Sequence, residues 1–415
     1  MPLKACIITI GDELLIGQTI DTNSAWISQQ LGGIGVAVCR RIAIGDDEVA
    51  IVQTLNDEWA AHDIIIVTGG LGPTDDDLTK PVLTKYFKAS LKRDPETEEH
   101  IRKIFEKRGR ALLERNLKQA DVPDNCTVLR NELGTAPGMW FEKDEKIIIS
   151  LPGVPFEMIA IMEKEALPKL RQRTTLHYIV HRGILTAGVP ESQIAELIEG
   201  KARLLPPHIK LAYLPDAGMV RLRLSGEGND ERSLIKEIEQ RREELALLLD
   251  DAVISMEDLT LEHILGKLFT GKGLKLALAE SCTGGYLAHK LTQIIGSAQY
   301  FMGSIVCYQP EVKEHLLNVP SKLIEKHGIV SEEVALEMAK GARKQLRSDI
   351  GFGVTGLLSG SDEDEVKVGT VCLAACDENR SATKTMHFRL DRLRNKELAA
   401  THSLLFIWKF VQGKV

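Results

Sequence analysis

No apolar run in the 415-residue sequence reaches the length of a membrane-spanning helix, and Ala5 to Ile10, near the start, is too short for the core of a secretory signal. The expectation is a cytoplasmic protein with no membrane partner. An excess of positive charge is missing too: 52 Lys and Arg stand against 59 Asp and Glu, and a net charge of −7 provides no basic footprint for nucleic acid. Cysteine is sparse. The seven, Cys6, Cys39, Cys126, Cys282, Cys307, Cys372 and Cys376, are odd in number and form no CxxC pair, so their spacing suggests neither a disulfide framework nor a zinc site but reduced, mostly buried thiols. Cys372 and Cys376 share one face of a predicted strand, VCLAAC, as small apolar residues. Long repeats and low-complexity tracts are absent as well. What remains is a globular composition, 44% hydrophobic and 27% charged, which at this length divides into two or three domains.

The first 70 residues alternate strand and helix, with strands over 5–10, 36–44 and 64–68 and helices over 23–31 and 47–60. That order predicts right-handed βαβ units, whose ligands sit beyond the carboxyl ends of the strands. The turn TGGLGPTDDDLT at 68–79 stands at one such end. Gly69, Gly70 and Gly72 allow close backbone approach, and Thr74 adds a hydroxyl. The adjacent Asp75, Asp76 and Asp77 repel a bare phosphate, so an anionic ligand there needs a divalent cation between, with Asp46 and Asp47 supplying further carboxylates. An acidic N-terminus to the following helix accounts for the same residues without any ligand. Residues 95–120 predict a charged helical stretch, followed by β segments at 127–130, 138–141 and 146–150. Pro152, Gly153 and Pro155 then turn the chain into a helix over 156–170, where Glu157 is either structural or a ligand contact.

Residues 176–250 read β-α-β-β-α, a compact α+β unit of KH-like topology. It lacks the GxxG loop between helices, so RNA is not the expected partner. His177 and His181 face one side of a strand but have no third ligand nearby, which disfavours a metal.

The last part is read around AESCTGG at 279–285, between a strand over 275–279 and a helix over 286–294. Ser281 stands at the strand end, Tyr308 at the end of the next strand (304–308), and Lys313 in the first turn of a helix opened by Pro310. A serine nucleophile needs a base, no histidine is evidently placed for it, and a lysine serves if burial and the helix dipole keep it neutral. The N–H groups of Cys282 to Gly285 then suit an oxyanion, while Cys282 is a competing nucleophile without a partner. A phosphate cradle with no covalent chemistry explains the same turn equally well.

Six motifs carry a resemblance: GDELLIGQTIDTNSAW (11–26), TGGLGPTDDDLT (68–79), LPGVPFEM (151–158), LAYLPDAGMVRLRL (211–224), AESCTGG (279–285) and YQPEVK (308–313). In this order they resemble the CinA, or competence/damage-inducible, family over essentially the whole chain. The resemblance implies an α/β fold in three parts: a molybdopterin-binding-like domain with a parallel or mixed sheet over 1–172, a small α+β KH-like domain over 173–253, and an α/β deamidase domain over 254–415, assembled as a homodimer. It further implies two hydrolase activities. The N-terminal domain would cleave the pyrophosphate of ADP-ribose with a divalent metal (Mg or Co) and potassium. The C-terminal domain, with no cofactor, would convert nicotinamide mononucleotide to nicotinate mononucleotide and ammonia. Matched by motif, Ser281 is the implied nucleophile, Lys313 its base and Tyr308 a supporting hydroxyl. Thr283, Gly284, Gly285, Thr355, Gly356 and Arg392 are implied substrate contacts, with Arg392 on the nucleotide phosphate. In the first domain Gly69, Gly70, Gly72 and Thr74 would face phosphates, and Asp46, Asp77 and Glu157 the metal. The chain departs from the family pattern at GVTGLLSGSDED (353–364), which adds Asp362, Glu363 and Asp364, and at Val154. That altered loop keeps open a non-catalytic nucleotide- or pterin-binding dimer acting in competence or the DNA-damage response.

Overall fold

The computed structural model describes residues 3–74, 76–173, 178–216, 218–360 and 366–415. Asp75, His177 and the loop acids Asp362, Glu363 and Asp364 therefore lie outside the described residues. The chain packs as two compact units, Met1–His181 with Ser225–Ile238, and Arg182–Leu224 with Glu239–Val415.

In the first unit a six-stranded sheet runs in the order Ala37–Ile44, Lys4–Ile10, Ile64–Thr68, Lys146–Leu151, Gly138–Lys143, Thr127–Leu129. The first four strands are parallel and the last two pairings antiparallel, so the sheet is mixed. Strands buried on both faces need unbroken apolar runs, and IIIVT at 64–68 is one. Helices Thr22–Gly32 and Glu48–Trp59 begin at Asp21 and Asp47, whose carboxylates accept the N–H groups of Ser24 and Ala50. The predicted charged helix over 95–120 breaks after Lys107 and resumes only as a turn at Glu114–Leu117. The helix that follows Pro155 passes through a π turn at Met162–Ala166 and ends at Arg173.

The middle segment carries a four-stranded sheet in the order Ile209–Asp216, Met219–Gly228, Tyr178–Ala187, Val253–Ser255. Further on, a five-stranded sheet has the order Phe301–Val306, Leu276–Glu280, Ile350–Gly356, Thr370–Cys376, Ser381–His387. Its first three strands are parallel and the last two antiparallel. Helix Glu332–Gln345 packs so closely on it that a Cβ on Gly353 would come 2.2 Å from the Ala335 carbonyl. The strand expected over 304–308 runs Phe301–Val306 instead and stops before Tyr308. The last helix starts at Arg392, where Asp391 caps the N–H groups of Leu393 and Arg394. A helix at Ser321–His327 was not expected. Among the described residues no helix is long and apolar enough to cross a membrane.

Candidate active sites

The turn after Leu276–Glu280 is built on a residue that pattern reading passes over. Glu280 is fully buried, and its carboxylate accepts the N–H groups of Gly285, Leu287 and Ala288, each at 3.0 Å, and the Ser304 hydroxyl at 2.8 Å. It thereby caps helix Tyr286–Thr292 from below and draws the turn into shape. Gly284 and Gly285 have φ of 59° and 90°, values a side chain strains to adopt. Ser281 is then held at the rim, its N–H on the Val354 carbonyl at 3.0 Å.

Lys313, in the first turn of helix Pro310–Leu317, is completely buried. Its Nζ donates to Ser281 Oγ at 3.0 Å, to the Cys307 carbonyl at 2.6 Å and to the Tyr308 carbonyl at 3.4 Å. Burial pushes its pKa below the ordinary lysine value. Burial acts oppositely on the Cys282 thiol, pushed up to about 12, so the neighbouring sulfur is a neutral thiol rather than a rival nucleophile.

Not every expected contact converges. Tyr308 contributes its carbonyl to Lys313, while its hydroxyl accepts Arg392 Nη2 at 3.1 Å. Arg392 Nη1 donates to Ser359 Oγ at 2.7 Å, at the start of the altered loop. The Thr355 hydroxyl turns inward to the Ile329 carbonyl at 2.9 Å, and Gly356 leaves room for the Thr370 carbonyl, which a Cβ would approach to 2.7 Å. Of the four turn N–H groups expected around an oxyanion, that of Gly284 is on the Ser281 carbonyl and that of Gly285 on Glu280. Those of Cys282 and Thr283 have no hydrogen-bond partner among the described residues, and the buried Thr283 hydroxyl has none either. Sequence reading also missed Lys396, whose Nζ lies over the Tyr286 ring, 5.7 Å from its centre, and near Gly284.

In the first unit the strand ends surround an open cleft of about 410 Å³ lined by Gly11, Glu13, Asp46, Gly69, Gly70, Gly72, Asp76, Asp77 and Glu157. Gly69, at φ 114°, crosses so near the first strand that a Cβ would meet the Ile10 carbonyl at 2.1 Å. Asp77 takes three donors from its own loop, the N–H of Gly72 at 2.7 Å and the N–H and hydroxyl of Thr74 at 2.9 and 2.5 Å. Thr74 and Gly72 are thus spent on Asp77 rather than aimed at phosphates. Asp46 accepts the Asp12 N–H at 3.1 Å; burial, and then the charges of Asp12, Glu13 and Asp76, raise its pKa despite that bond. Glu157 is held by Asn131 Nδ2 at 2.6 Å.

Fold and geometry together define a chain with a molybdopterin-binding-type domain first, a KH-like segment next, and an α/β domain carrying a buried serine–lysine pair last. Comparison with known families agrees. Residues 6–172 match the probable molybdopterin binding domain, 181–254 the KH domain of damage-inducible protein CinA, and 258–411 the CinA C-terminal domain. A CinA-like protein of Cytophaga hutchinsonii is 42% identical over 96% of this chain and 95% of its own length, and one of Flavobacterium psychrophilum is 42% identical over 98% of each. The crystal structure of CinA from Thermoplasma acidophilum is 35% identical over 41% of this chain and 98% of its own, with a TM-score of 0.37. The chain belongs to the CinA family.

Proposed function

We propose that the C-terminal domain is a serine–lysine amidohydrolase acting on nicotinamide mononucleotide, and that the N-terminal cleft hydrolyses the pyrophosphate of ADP-ribose. The observation that carries the first half is the 3.0 Å approach of a buried Lys313 Nζ to Ser281 Oγ. A neutral Lys313 amine takes the Ser281 proton as Oγ attacks the carboxamide carbon. The oxygen that becomes negative is met by the N–H groups of Cys282 and Thr283. Lys313 then returns the proton to the leaving nitrogen, which departs as ammonia, and water releases nicotinate mononucleotide from the acyl-serine by the same path reversed. Arg392, held by Tyr308 and Ser359, would pair with the substrate phosphate. A site that only bound nucleotides would gain nothing from burying a lysine against a serine, which weighs against the non-catalytic reading.

For the second half, the cleft's donor set fits a divalent cation. Carboxylates at Asp46, Asp76 and Glu13 line one opening, where burial and then the charges of Asp12, Glu13 and Asp76 raise the Asp46 pKa, a cost that a cation relieves. Asp46 and Asp76 would hold it, with Glu157 beside them, while Asp77 shapes the glycine loop. The ion supplies neutralisation of the pyrophosphate charge and an activated water. The Gly70 N–H, without a partner among the described residues, is available to a phosphate oxygen. Ammonia release from nicotinamide mononucleotide tests the first activity: the parent chain should release it and Ser281→Ala should not. No release by the parent ends that reading. Cleavage of ADP-ribose that survives a chelator unchanged ends the second.

A further inference from the structure

Away from the cleft, the fold brings Cys6 to Glu58 and His62, a pair four residues apart in a part of the chain remote from Cys6 in sequence. Cys6 lies on strand Lys4–Ile10, Glu58 in the last turn of helix Glu48–Trp59, and His62 on the turn into strand Ile64–Thr68. A ligand atom from each lies within 4.8 Å of the other two, and the side chains are only 0%, 2% and 6% exposed. No other such group occurs among the described residues. Glu58 is its centre. Oε1 accepts Arg40 Nη1 at 2.5 Å, the Cys6 thiol also pairs with the carboxylate, and Oε2 faces His62 Nδ1 at 3.1 Å without a well-formed hydrogen bond, the same Nδ1 lying 3.2 Å from the Glu58 carbonyl. A buried carboxylate oxygen left in this state is expensive unless something positive faces it.

We propose that Cys6, Glu58 and His62 form a structural binding site for a divalent cation of the zinc class, separate from the strand-end cleft. Cys6 precedes Ile10 by four residues, which at the rise of a strand puts the two sites roughly 13 Å apart along the sheet. Thiolate, imidazole and carboxylate together select a borderline-soft ion such as zinc over magnesium or calcium, whose partners are oxygens. Binding forms bonds to sulfur, nitrogen and oxygen and breaks one, the thiol S–H, whose proton leaves to solvent; no electron is transferred. The ion's two positive charges balance the thiolate and carboxylate. Arg40, 62% exposed, stays on Glu58 Oε1 with much of its side chain in water. The bound ion would tie the end of helix Glu48–Trp59 to the central strand.

The test uses the full-length chain, stripped with chelator under reducing conditions and titrated with cobalt(II) as a spectroscopic stand-in for zinc. The expected result is a thiolate-to-cobalt absorption in the near ultraviolet, saturating at one equivalent and displaced by zinc, with zinc also raising the melting temperature. Cys6→Ala should abolish the band, and His62→Gln should weaken binding by more than about 100-fold. Cys39→Ala, at an exposed thiol on the neighbouring strand, should keep it. Circular dichroism checks that each variant is folded, and His62→Gln carries the test if Cys6→Ala is not. A parent chain with no thiolate band, or a band that persists in Cys6→Ala, overturns the proposal.

Discussion

Lys313 Nζ sits 3.0 Å from Ser281 Oγ and 2.6 Å from the Cys307 carbonyl, so the amine is fixed by a main-chain acceptor while facing the hydroxyl it would deprotonate. The acceptor matters as much as the serine. A carbonyl cannot be protonated in place of the lysine, whereas a carboxylate at that point would have held the ammonium charged.

The first prediction follows from that charge state. With the neutral amine as base, kcat/KM for nicotinamide mononucleotide should rise with pH along a limb set by Lys313, and burial places that limb below the ordinary lysine value. Lys313→Arg retains the positive charge but has no accessible neutral form. It should lose about a thousandfold in rate. A variant still active and still showing the same limb would remove Lys313 from the mechanism.

Stability should carry the same signature. Because folding lowers the Lys313 pKa, the unfolded chain binds more protons in the window between the depressed and the ordinary value, so stability rises with pH there. Lys313→Met fills the space without the charge. Urea denaturation across that window should show a flatter pH dependence for Lys313→Met than for the parent, and equal slopes would contradict the burial argument.

Glu280 offers a test of the turn itself. Its two oxygens serve three N–H groups and one hydroxyl inside the protein, and Glu280→Ala would leave those donors buried and unpaired. The expected cost is about 3 kcal/mol or more, with amidase activity lost because Ser281 and the Cys282 and Thr283 N–H groups lose their support. Glu280→Gln should recover part of both, since one oxygen remains an acceptor. Chemical denaturation together with the ammonia assay distinguishes these outcomes.

How much of this was legible beforehand depends on whether the information is local. Ser281 and Lys313 were readable because a strand end and a Pro-opened helix are written in neighbouring residues. The position of Tyr308 differs for a reason just as local: the strand ends at Val306, and in the structure its hydroxyl meets Arg392 while its carbonyl meets the lysine. Glu280 was overlooked because LALAE resembles a strand with a polar last residue, and nothing in that pattern says the carboxylate is buried under the next helix. Asp77 was seen as an acid at a glycine loop, but its three bonds to Gly72 and Thr74 depend on the loop's closure. Glu58 and His62 stand four residues apart, but nothing in the spacing joins Cys6 to them. Packing of the helix end against the first strand does so, and that packing depends on the whole layer.

The Arg392 prediction separates binding from chemistry. Its guanidinium is braced by Tyr308 and Ser359 and touches neither Ser281 nor Lys313 in the hydrogen bonds described above. Arg392→Ala should raise KM for nicotinamide mononucleotide by about 10- to 100-fold with a smaller change in kcat, the pattern of an interaction shared by bound substrate and transition state. Tyr308→Phe, which removes only the brace, should do the same more weakly. A large fall in kcat for Tyr308→Phe would instead put its hydroxyl into the chemistry.

In the N-terminal cleft the two aspartates should fail differently. Asp46 stands in open contact with other carboxylates, its pKa raised by burial and by Asp12, Glu13 and Asp76, so it competes with protons for any cation. Metal activation of ADP-ribose cleavage should therefore strengthen as pH rises through that raised pKa, and Asp46→Asn should demand more metal yet recover rate when metal is added. Asp77 has its oxygens on loop donors, so Asp77→Ala frees Gly72 and Thr74 and loosens the glycine loop. Its loss should not be rescued by metal at any concentration. Titrating magnesium or cobalt against both variants decides the matter: full rescue of Asp77→Ala would make that residue a cation ligand after all, and failure to rescue Asp46→Asn would remove Asp46 from the metal's partners.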